Sequence, residues 1–215
     1  MTEADPGHAA ALRDAFAAIA RSSLFSDAMD KCGLATNASG GWTGFALATP
    51  IVGRAHTVRQ VAQPDLPGGK PRHGAEIAAT PAGGILVIAA PENCGCATWG
   101  DAHTSRALIA GLAGVVIGCA VRDAQSLPGL GLPILARGTS PSRSTGRLAT
   151  GETGGRVELG GVTIEEHDLV CIDADGIAAI PRQHESEVLA RARAQLDLEA
   201  ERDRDLARHL SDRAR

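Results

Sequence analysis

The sequence is poor in aromatic residues and has no excess of basic charge. Of its 215 residues only 2% are aromatic, tyrosine is absent, and the formal net charge is −4 at pH 7. Nucleic-acid binding through phosphate contacts needs a basic surface, and single-strand binding also needs aromatic stacking platforms. We therefore expect no nucleic-acid partner.

Long apolar runs are also missing. The longest candidate, residues 111–121, is far shorter than the ~18 residues that a membrane helix needs, and it is rich in glycine. The N-terminal stretch MTEADPGH is acidic and no apolar segment follows it, unlike a secretory signal peptide. These features predict a cytoplasmic protein with no membrane partner.

Lysine and paired cysteines are scarce as well. Lys31 and Lys70 are the only lysines, and neither has the apolar surroundings that an imine-forming lysine requires. The phosphate-binding pattern GxxxxGK[ST] is absent. The five cysteines are an odd number, which is not typical of a disulfide framework. Cys94 and Cys96 are close but lack the CxxC spacing and a second Cys/His pair, so we interpret them as structural or incidental.

The apolar periodicity predicts a mixed α/β domain. Helices are expected at 8–20, 23–31, 73–80 and within 97–112, and strands at 51–62, 85–90, 114–117, 132–136, 157–159, 162–164, 169–172 and 177–180. The segments 63–72 and 138–156 are expected to be loops. We predict one catalytic domain over residues 1–181 and a charged C-terminal helical extension over residues 182–215.

Acidic and basic side chains that suit one chemistry stand around the central helix. Asp101 opens this helix, and Arg122 and Asp123 follow the next apolar strand. Two carboxylates can hold Mg²⁺ or Mn²⁺ directly or through waters, and an arginine offers paired donors to a keto oxygen or a carboxylate. The first amides of the helix, on Ala102 and His103, form a carboxylate site. This set suits a 2-oxo acid whose enolate is stabilised when a C–C bond breaks.

Two questions stay open at this point. In a strand–helix–strand unit we expect the helix start and the end of the next strand to lie at opposite ends. Either a chain segment that packs back against this unit or a second subunit would be needed to bring Asp101 close to Asp123. The alternative interpretation of the same residues is a surface ion pair at Arg122 and Asp123, with Asp101 as a helix cap.

The run ATWGDAHTSRALIAGLAGVVIGCAVRD resembles the signature of the regulator-of-ribonuclease-activity-A-like (RraA-like) family. This family includes class II, metal-dependent 4-hydroxy-4-methyl-2-oxoglutarate aldolases, which also decarboxylate oxaloacetate. Its enzymes carry an acidic residue, twenty further residues and then Arg-Asp, as Asp101, Arg122 and Asp123 do here. Other family segments are matched at Ser26–Ala28, Val52–Val58, Ile85–Ile88, Leu132–Thr139 and Asp168–Pro181.

The resemblance implies a fold and an assembly. The fold would be an α/β/α sandwich of the swivelling β/β/α type with a mixed sheet. The assembly would be a homotrimer or a dimer of trimers with sites at the subunit interfaces, and the substrate a small 2-oxo acid.

The resemblance also assigns roles to residues. Asp123 matches the metal ligand, Asp101 the acid that holds metal-bound water, and Arg122 the residue that faces the keto oxygen. The segment that binds the pyruvyl carboxylate is matched at the helix start by Gly100, Ala102 and His103.

Several positions depart from the family pattern. His103 stands where an aliphatic residue is common, so it either touches substrate or metal or is a surface histidine. His73, on a short helix beside a loop, is a second candidate for substrate contact. Gly118 and Cys119 replace a common Asp-Gly. These changes concern the aldol acceptor more than the metal chemistry.

Two further functions remain as alternatives. One is a non-catalytic, protein-binding regulator of a ribonuclease or helicase, although such regulators depart from the paired aspartates. The other is a lyase of the same chemistry that acts on an unusual aldehyde or ketone.

Overall fold

The structure, a computed structural model, describes residues 6–34, 37–65 and 68–213. It is an α/β/α sandwich of the swivelling β/β/α type built on a mixed sheet of ten strands, as predicted. The helices are α1 (Pro6–Ala17), α2 (Ser22–Lys31), α3 (His73–Ala79), α4 (Asp101–Ile109), α5 (Leu127–Leu130) and α6 (Glu185–Arg213). The strands are β1 (Ala38–Ser39), β2 (Thr43–Phe45), β3 (Ile51–Ala62), β4 (Ile85–Ala89), β5 (Ala97–Trp99), β6 (Gly114–Val121), β7 (Ile134–Thr139), β8 (Leu148–Thr153), β9 (Val157–Leu159), β10 (Val162–Ile164), β11 (Leu169–Ile172) and β12 (Ile177–Ile180).

The main sheet is parallel in its centre and antiparallel on its flanks. Its strand order is β1-β12-β11-β3-β4-β6-β7-β2, and β3, β4, β6 and β7 run parallel to one another. β8 pairs with the C-terminal half of β3, and β5 pairs in parallel with the end of β6. β9 and β10 form a separate hairpin.

The central strands are buried on both faces, which explains the continuous apolar run in β4. Leu86 and Ile88 belong to a cluster that also contains residues of α3, α4 and α5. Ile85 and Val87 belong to the cluster on the other face, with the β9–β10 hairpin. The alternation of one strand between two clusters fixes the register of the sheet between its two covering layers.

A third cluster joins the terminal helices to the antiparallel strands. Phe16 of α1 and Phe25 of α2 make an edge-to-face contact with ring centroids 5.1 Å apart, and Val188 of α6 is buried with them. The distal part of α6 is exposed, with Leu206 and Leu210 54% and 68% accessible. The division into a domain and an extension at residue 182 stays a prediction.

Most predicted elements are observed within a few residues, and β3 and the four short strands β9 to β12 have the predicted bounds. Two of the segments assigned from the sequence also contain a strand that was not predicted. β5 lies at the start of the segment 97–112, and β8 lies inside 138–156. Parts of two predictions, at residues 66–67 and 214–215, lie outside the described residues. In the described ranges, no helix has the length and apolar character needed to cross a membrane.

Candidate active site

The strand β5 brings the predicted site residues together. β5 runs parallel to β6, with Trp99 paired to Val121, so both strands end at the same edge of the sheet. Asp101 follows β5 and Asp123 follows β6. The Asp101 amide nitrogen lies 3.4 Å from Asp123 Oδ2 within one chain. The question that the spacing left open is answered within one chain, because the short strand β5 precedes α4 and runs parallel to β6.

Arg122 and Asp123 form the turn that leaves β6. The Arg122 amide donates a hydrogen bond to the Trp99 carbonyl at 2.9 Å, which ties the two strand ends together. Asp123 has a φ of 56°, a left-handed conformation that aspartate tolerates better than most residues. Its Oδ2 lies 3.4 Å from Arg122 Nε, and both side chains are partly exposed to solvent. The Ser126 hydroxyl donates to the Asp123 carbonyl at 2.8 Å and closes the turn.

The first turn of α4 supplies backbone donors and the second carboxylate. The Ala102 amide donates a 2.6 Å hydrogen bond to Asp101 Oδ1, so the Asp101 side chain caps its own helix. The helix dipole adds positive potential at this end. The Asp101 side chain thus occupies the amide that was predicted to bind a substrate carboxylate.

Gly100 allows the close approach of α4 to Asp123. A Cβ atom built on Gly100 would lie 2.5 Å from Asp123 Oδ2 and 3.1 Å from Arg122 Cγ. The backbone of Gly100 is extended, with φ −166°, so its conformation does not require glycine. The requirement is space for the side chains of Arg122 and Asp123.

The two carboxylates suit a hydrated ion better than an all-protein cage. Over residues 6–34, 37–65 and 68–213 no group of three or more His, Cys, Asp or Glu is arranged to hold a metal. Asp101 and Asp123 are both exposed to solvent, and the Asp101 amide nitrogen lies 3.4 Å from Asp123 Oδ2. An ion held by one or two carboxylates keeps several waters, which is typical of Mg²⁺. The residues present therefore fit Mg²⁺ or Mn²⁺.

Arg122 lines two cavities of about 330 Å³ each. One contains Asp123 together with Thr139 and Ser140. The other cavity is lined mostly by polar and charged side chains, together with Trp99: Lys70, His73, Thr98, His103, Arg143 and Ser144. No acidic side chain of the described chain lines the second cavity.

His73 and His103 form one wall of this second cavity. Their ring centroids are 4.4 Å apart, and the His103 ring lies 5.4 Å from Trp99. Burial, with a smaller effect of His103, lowers the pKa of His73 to about 4. Burial, with the positive charges of Arg106 and Arg122, also lowers the pKa of His103. Both imidazoles are therefore neutral at pH 7.

His73 was predicted only as a secondary candidate, and other cavity residues were missed, among them Lys70, Thr98 and Arg143. The sequence pattern around Lys70, Thr98 and Arg143 does not indicate which other segments pack against them. Ala97 forms a bridge with Arg143, which brings the loop before β8 to this cavity. A long-range backbone contact of this kind leaves no local signal in the sequence.

The cysteines of the described chain are all free thiols. Cys96 and Cys119 are buried in the core cluster, with Cys94 packed against it. Burial, together with the nearby Cys94, raises the pKa of Cys96 to about 11. The Cys96 thiol is therefore protonated at neutral pH and resembles a packed apolar group.

The fold and the acidic pair at the start of α4 define an α/β protein with a polar site at a sheet edge. The family model described as RraA-like, Aldolase/RraA, matches residues 22–179, and the chain belongs to this family.

Two curated relatives and one solved structure illustrate the likeness. A Halalkalibacterium halodurans protein provisionally named 4-hydroxy-4-methyl-2-oxoglutarate aldolase is 36% identical over 111 residues, which cover 52% of each chain. Protein DlpA of Legionella pneumophila is 28% identical over 78% of this chain, which corresponds to 27% of DlpA. The match thus spans about half of the first relative and less of the second. Streptomyces coelicolor RraAS2, titled an unusual member of the RNase ES inhibitor RraA protein family, has a TM-score of 0.78 at 24% identity, covering 93% of this chain and 97% of that one.

Proposed function

We propose that this protein is a divalent-metal-dependent carbon–carbon lyase that acts next to a pyruvyl unit through a pyruvate enolate. Oxaloacetate decarboxylation would be a side activity of the same site. The observation that carries the proposal is the position of the Asp123 carboxylate. It lies 3.4 Å from the Asp101 amide at the start of α4 and 3.4 Å from Arg122 Nε. An acid, a guanidinium and a helix N-terminus thus meet at one accessible point.

Asp123 would hold Mg²⁺ or Mn²⁺ directly, and Asp101 would hold it through a water. When bound, the ion would supply positive charge that stabilises the enolate oxygen. The two carboxylates compensate the charge of the ion, and Arg122 remains as a net positive group beside the reacting oxygen.

Side chains and backbone amides of the protein would carry out the other steps of the reaction. Arg122 would donate to the keto oxygen, where negative charge develops as the C–C bond breaks. The amides of the segment Gly100–His103 would hold the pyruvyl carboxylate. Because Asp101 Oδ1 accepts from the Ala102 amide in the free protein, the substrate carboxylate must compete with this side chain. Asp101 released in this way would be free to orient the water that protonates the enolate.

Oxaloacetate decarboxylation in the presence of Mg²⁺ or Mn²⁺ tests this proposal. Asp123→Asn removes the charge but keeps a residue that adopts positive φ, so we expect intact folding and a loss of at least about 100-fold in kcat. Arg122→Ala should have a similar effect, and EDTA should abolish the wild-type rate reversibly. Asp14→Asn on the surface of α1 makes the same charge change away from the site and should leave the rate unaltered. Full activity in chelator would refute the metal dependence.

The second candidate is a regulator that binds a ribonuclease or helicase without catalysis. The paired aspartates favour the enzyme, because the known regulators of the resembled type depart from this pattern. Recovery of a ribonuclease in a pull-down, together with no turnover of oxaloacetate or of pyruvate-derived aldols, would favour the regulator instead.

A further inference from the structure

The indole of Trp99 is buried where β5 passes into α4. Trp99 is 1% accessible to solvent, and Thr104, near the start of α4, is 0% accessible. Trp99 Nε1 lies 2.9 Å from Thr104 Oγ1, which in turn lies 2.9 Å from the Gly100 carbonyl oxygen. The Trp99 carbonyl also accepts from the Arg122 amide at 2.9 Å. Trp99 is thus bonded to both chain segments that carry the candidate site.

The direction of these hydrogen bonds follows from the chemistry of the groups. An indole N–H can only donate, so Trp99 donates to Thr104 Oγ1. A hydroxyl has a single proton, and the proton of Thr104 goes to the Gly100 carbonyl, which can only accept. The Thr104 hydroxyl is therefore fixed in one orientation by one donor and one acceptor.

The bond from the Thr104 hydroxyl is not one that the helix itself requires. The Gly100 carbonyl already accepts from the Thr104 amide at 3.0 Å, in the usual α-helical pattern. A threonine hydroxyl that bonds to the carbonyl four residues earlier slightly destabilises a helix and often bends it. What the second bond adds is a fixed direction for the Gly100 carbonyl.

The Gly100 carbonyl belongs to the same peptide group as the Asp101 amide. This peptide is trans, so its C=O and N–H bonds point in opposite directions within one rigid plane. Because the carbonyl faces Thr104, the N–H faces away from the helix, where it donates to Asp123 Oδ2 at 3.4 Å. Rotation of this peptide would take the N–H away from the carboxylate.

We propose that Trp99 and Thr104 are positioning residues, which aim the Asp101 amide at Asp123 and so fix the carboxylate that would hold the metal ion. Asp123 Oδ2 is then held between this amide and Arg122 Nε, each at 3.4 Å. Thr104 is completely buried and acts only through the Gly100 peptide. The inference rests on the proposed function, because the metal-binding role of Asp123 is assigned there.

Binding of Mn²⁺, measured by isothermal titration calorimetry, tests this role without depending on turnover. Thr104→Val keeps the shape of the side chain but removes the hydroxyl, so the Gly100 carbonyl loses one of its two bonds. We expect the Mn²⁺ affinity to fall about 10-fold, as when a group that orients a metal ligand is removed. The kcat for oxaloacetate decarboxylation should fall with it. Thr104→Ser retains the hydroxyl and should restore both values.

Thr80→Val is the matched control for the loss of a buried hydroxyl. Thr80 is 4% accessible, and its hydroxyl donates to the Glu76 carbonyl at 2.8 Å, which is the same contact to the fourth preceding residue in α3. This variant should lower thermal stability and leave the Mn²⁺ affinity unaltered. A fall in affinity that came from general destabilisation would appear in both valine variants and would contradict the positioning role.

Trp99→Phe keeps the test valid if Thr104→Val does not fold. It removes the indole donor, so the Thr104 hydroxyl can turn away from Gly100, and Mn²⁺ binding should again weaken. Wild-type affinity in folded Thr104→Val, or in Trp99→Phe where the valine variant does not fold, would overturn the proposal. A wild-type protein that binds Mn²⁺ but has no lyase activity would refute the proposed function alone, because the affinities of the variants still decide this role. A wild-type protein that binds no Mn²⁺ would refute both.

Discussion

At the residue scale, the site depends on one position without a side chain. Gly100 lies between two functional residues, and the nearest of their atoms is 2.5 Å from where a Cβ would be. The atom in the way, Asp123 Oδ2, is the end of a side chain and can move. The fold can therefore tolerate alanine here, while the carboxylate cannot keep its position.

We predict that Gly100→Ala lowers kcat for oxaloacetate decarboxylation by roughly 10- to 100-fold, because it displaces the Asp123 carboxylate by about 1 Å. Thermal unfolding should change by no more than a few degrees. Gly129→Ala is the matched control, since a Cβ at Gly129 meets nothing within 4 Å. An active Gly100→Ala protein would show that the position of Asp123 is not critical.

The three charged residues of the proposed site were selected from the sequence. Asp101, Arg122 and Asp123 are chemically suited to one task, and their spacing matches a family pattern. Thr98 and Gln60 were not predicted, because a buried threonine and a glutamine in a strand have no distinctive pattern. The Thr98 hydroxyl donates to Gln60 Oε1 at 2.7 Å, and this contact joins β5 to β3.

At the scale of elements, β5 and β8 were missed for different reasons. β5 has only three residues, which is too short for a periodic signal. β8 contains Gly151 and its last three residues are exposed, so its sequence resembles that of a loop. Both strands are stabilised by hydrogen bonds to β6 or β3, and such pairing depends on tertiary contact rather than on local propensity.

The turn between β10 and β11 is attached to β3 by a partly buried acid, Glu166. Glu166 accepts from the Thr57 amide at 2.7 Å, and its other oxygen lies 2.9 Å from His56 Nδ1. The hydrogen bond to Glu166, aided by the charges of Glu166 and Glu76, raises the pKa of His56 above 6.5 despite burial. Protonated His56 therefore stabilises the folded state.

This raised pKa predicts how stability depends on pH. The stabilisation is fully present below the unfolded pKa of about 6.5 and is lost as pH rises through the higher folded pKa. His56→Gln should lower the free energy of unfolding by roughly 1–3 kcal/mol at pH 6 and by less at pH 9. Urea unfolding of both proteins from pH 6 to 9 measures the difference, with His8→Gln on exposed α1 as control. A difference that grows with pH would contradict the assignment.

At the scale of the whole molecule, we propose a homotrimer or a dimer of trimers. The distal half of α6 extends away from the core cluster with Leu198, Leu206 and Leu210 exposed. Light scattering coupled to gel filtration should give three or six times the chain mass of 22.0 kDa. A monomer at micromolar concentration would contradict this proposal.

Composition and periodicity were enough to predict an α/β domain, its central apolar strands and the acidic and basic residues of the site. These properties are local, since burial on two faces selects apolar runs and the proposed metal chemistry calls for carboxylates. The meeting of Asp101 with Asp123, and of His73 with Thr98 and Gln60, was decided by tertiary structure. The proximity of these side chains depends on how short strands pair in the sheet, and strand pairing is determined by contacts between segments that are distant in sequence.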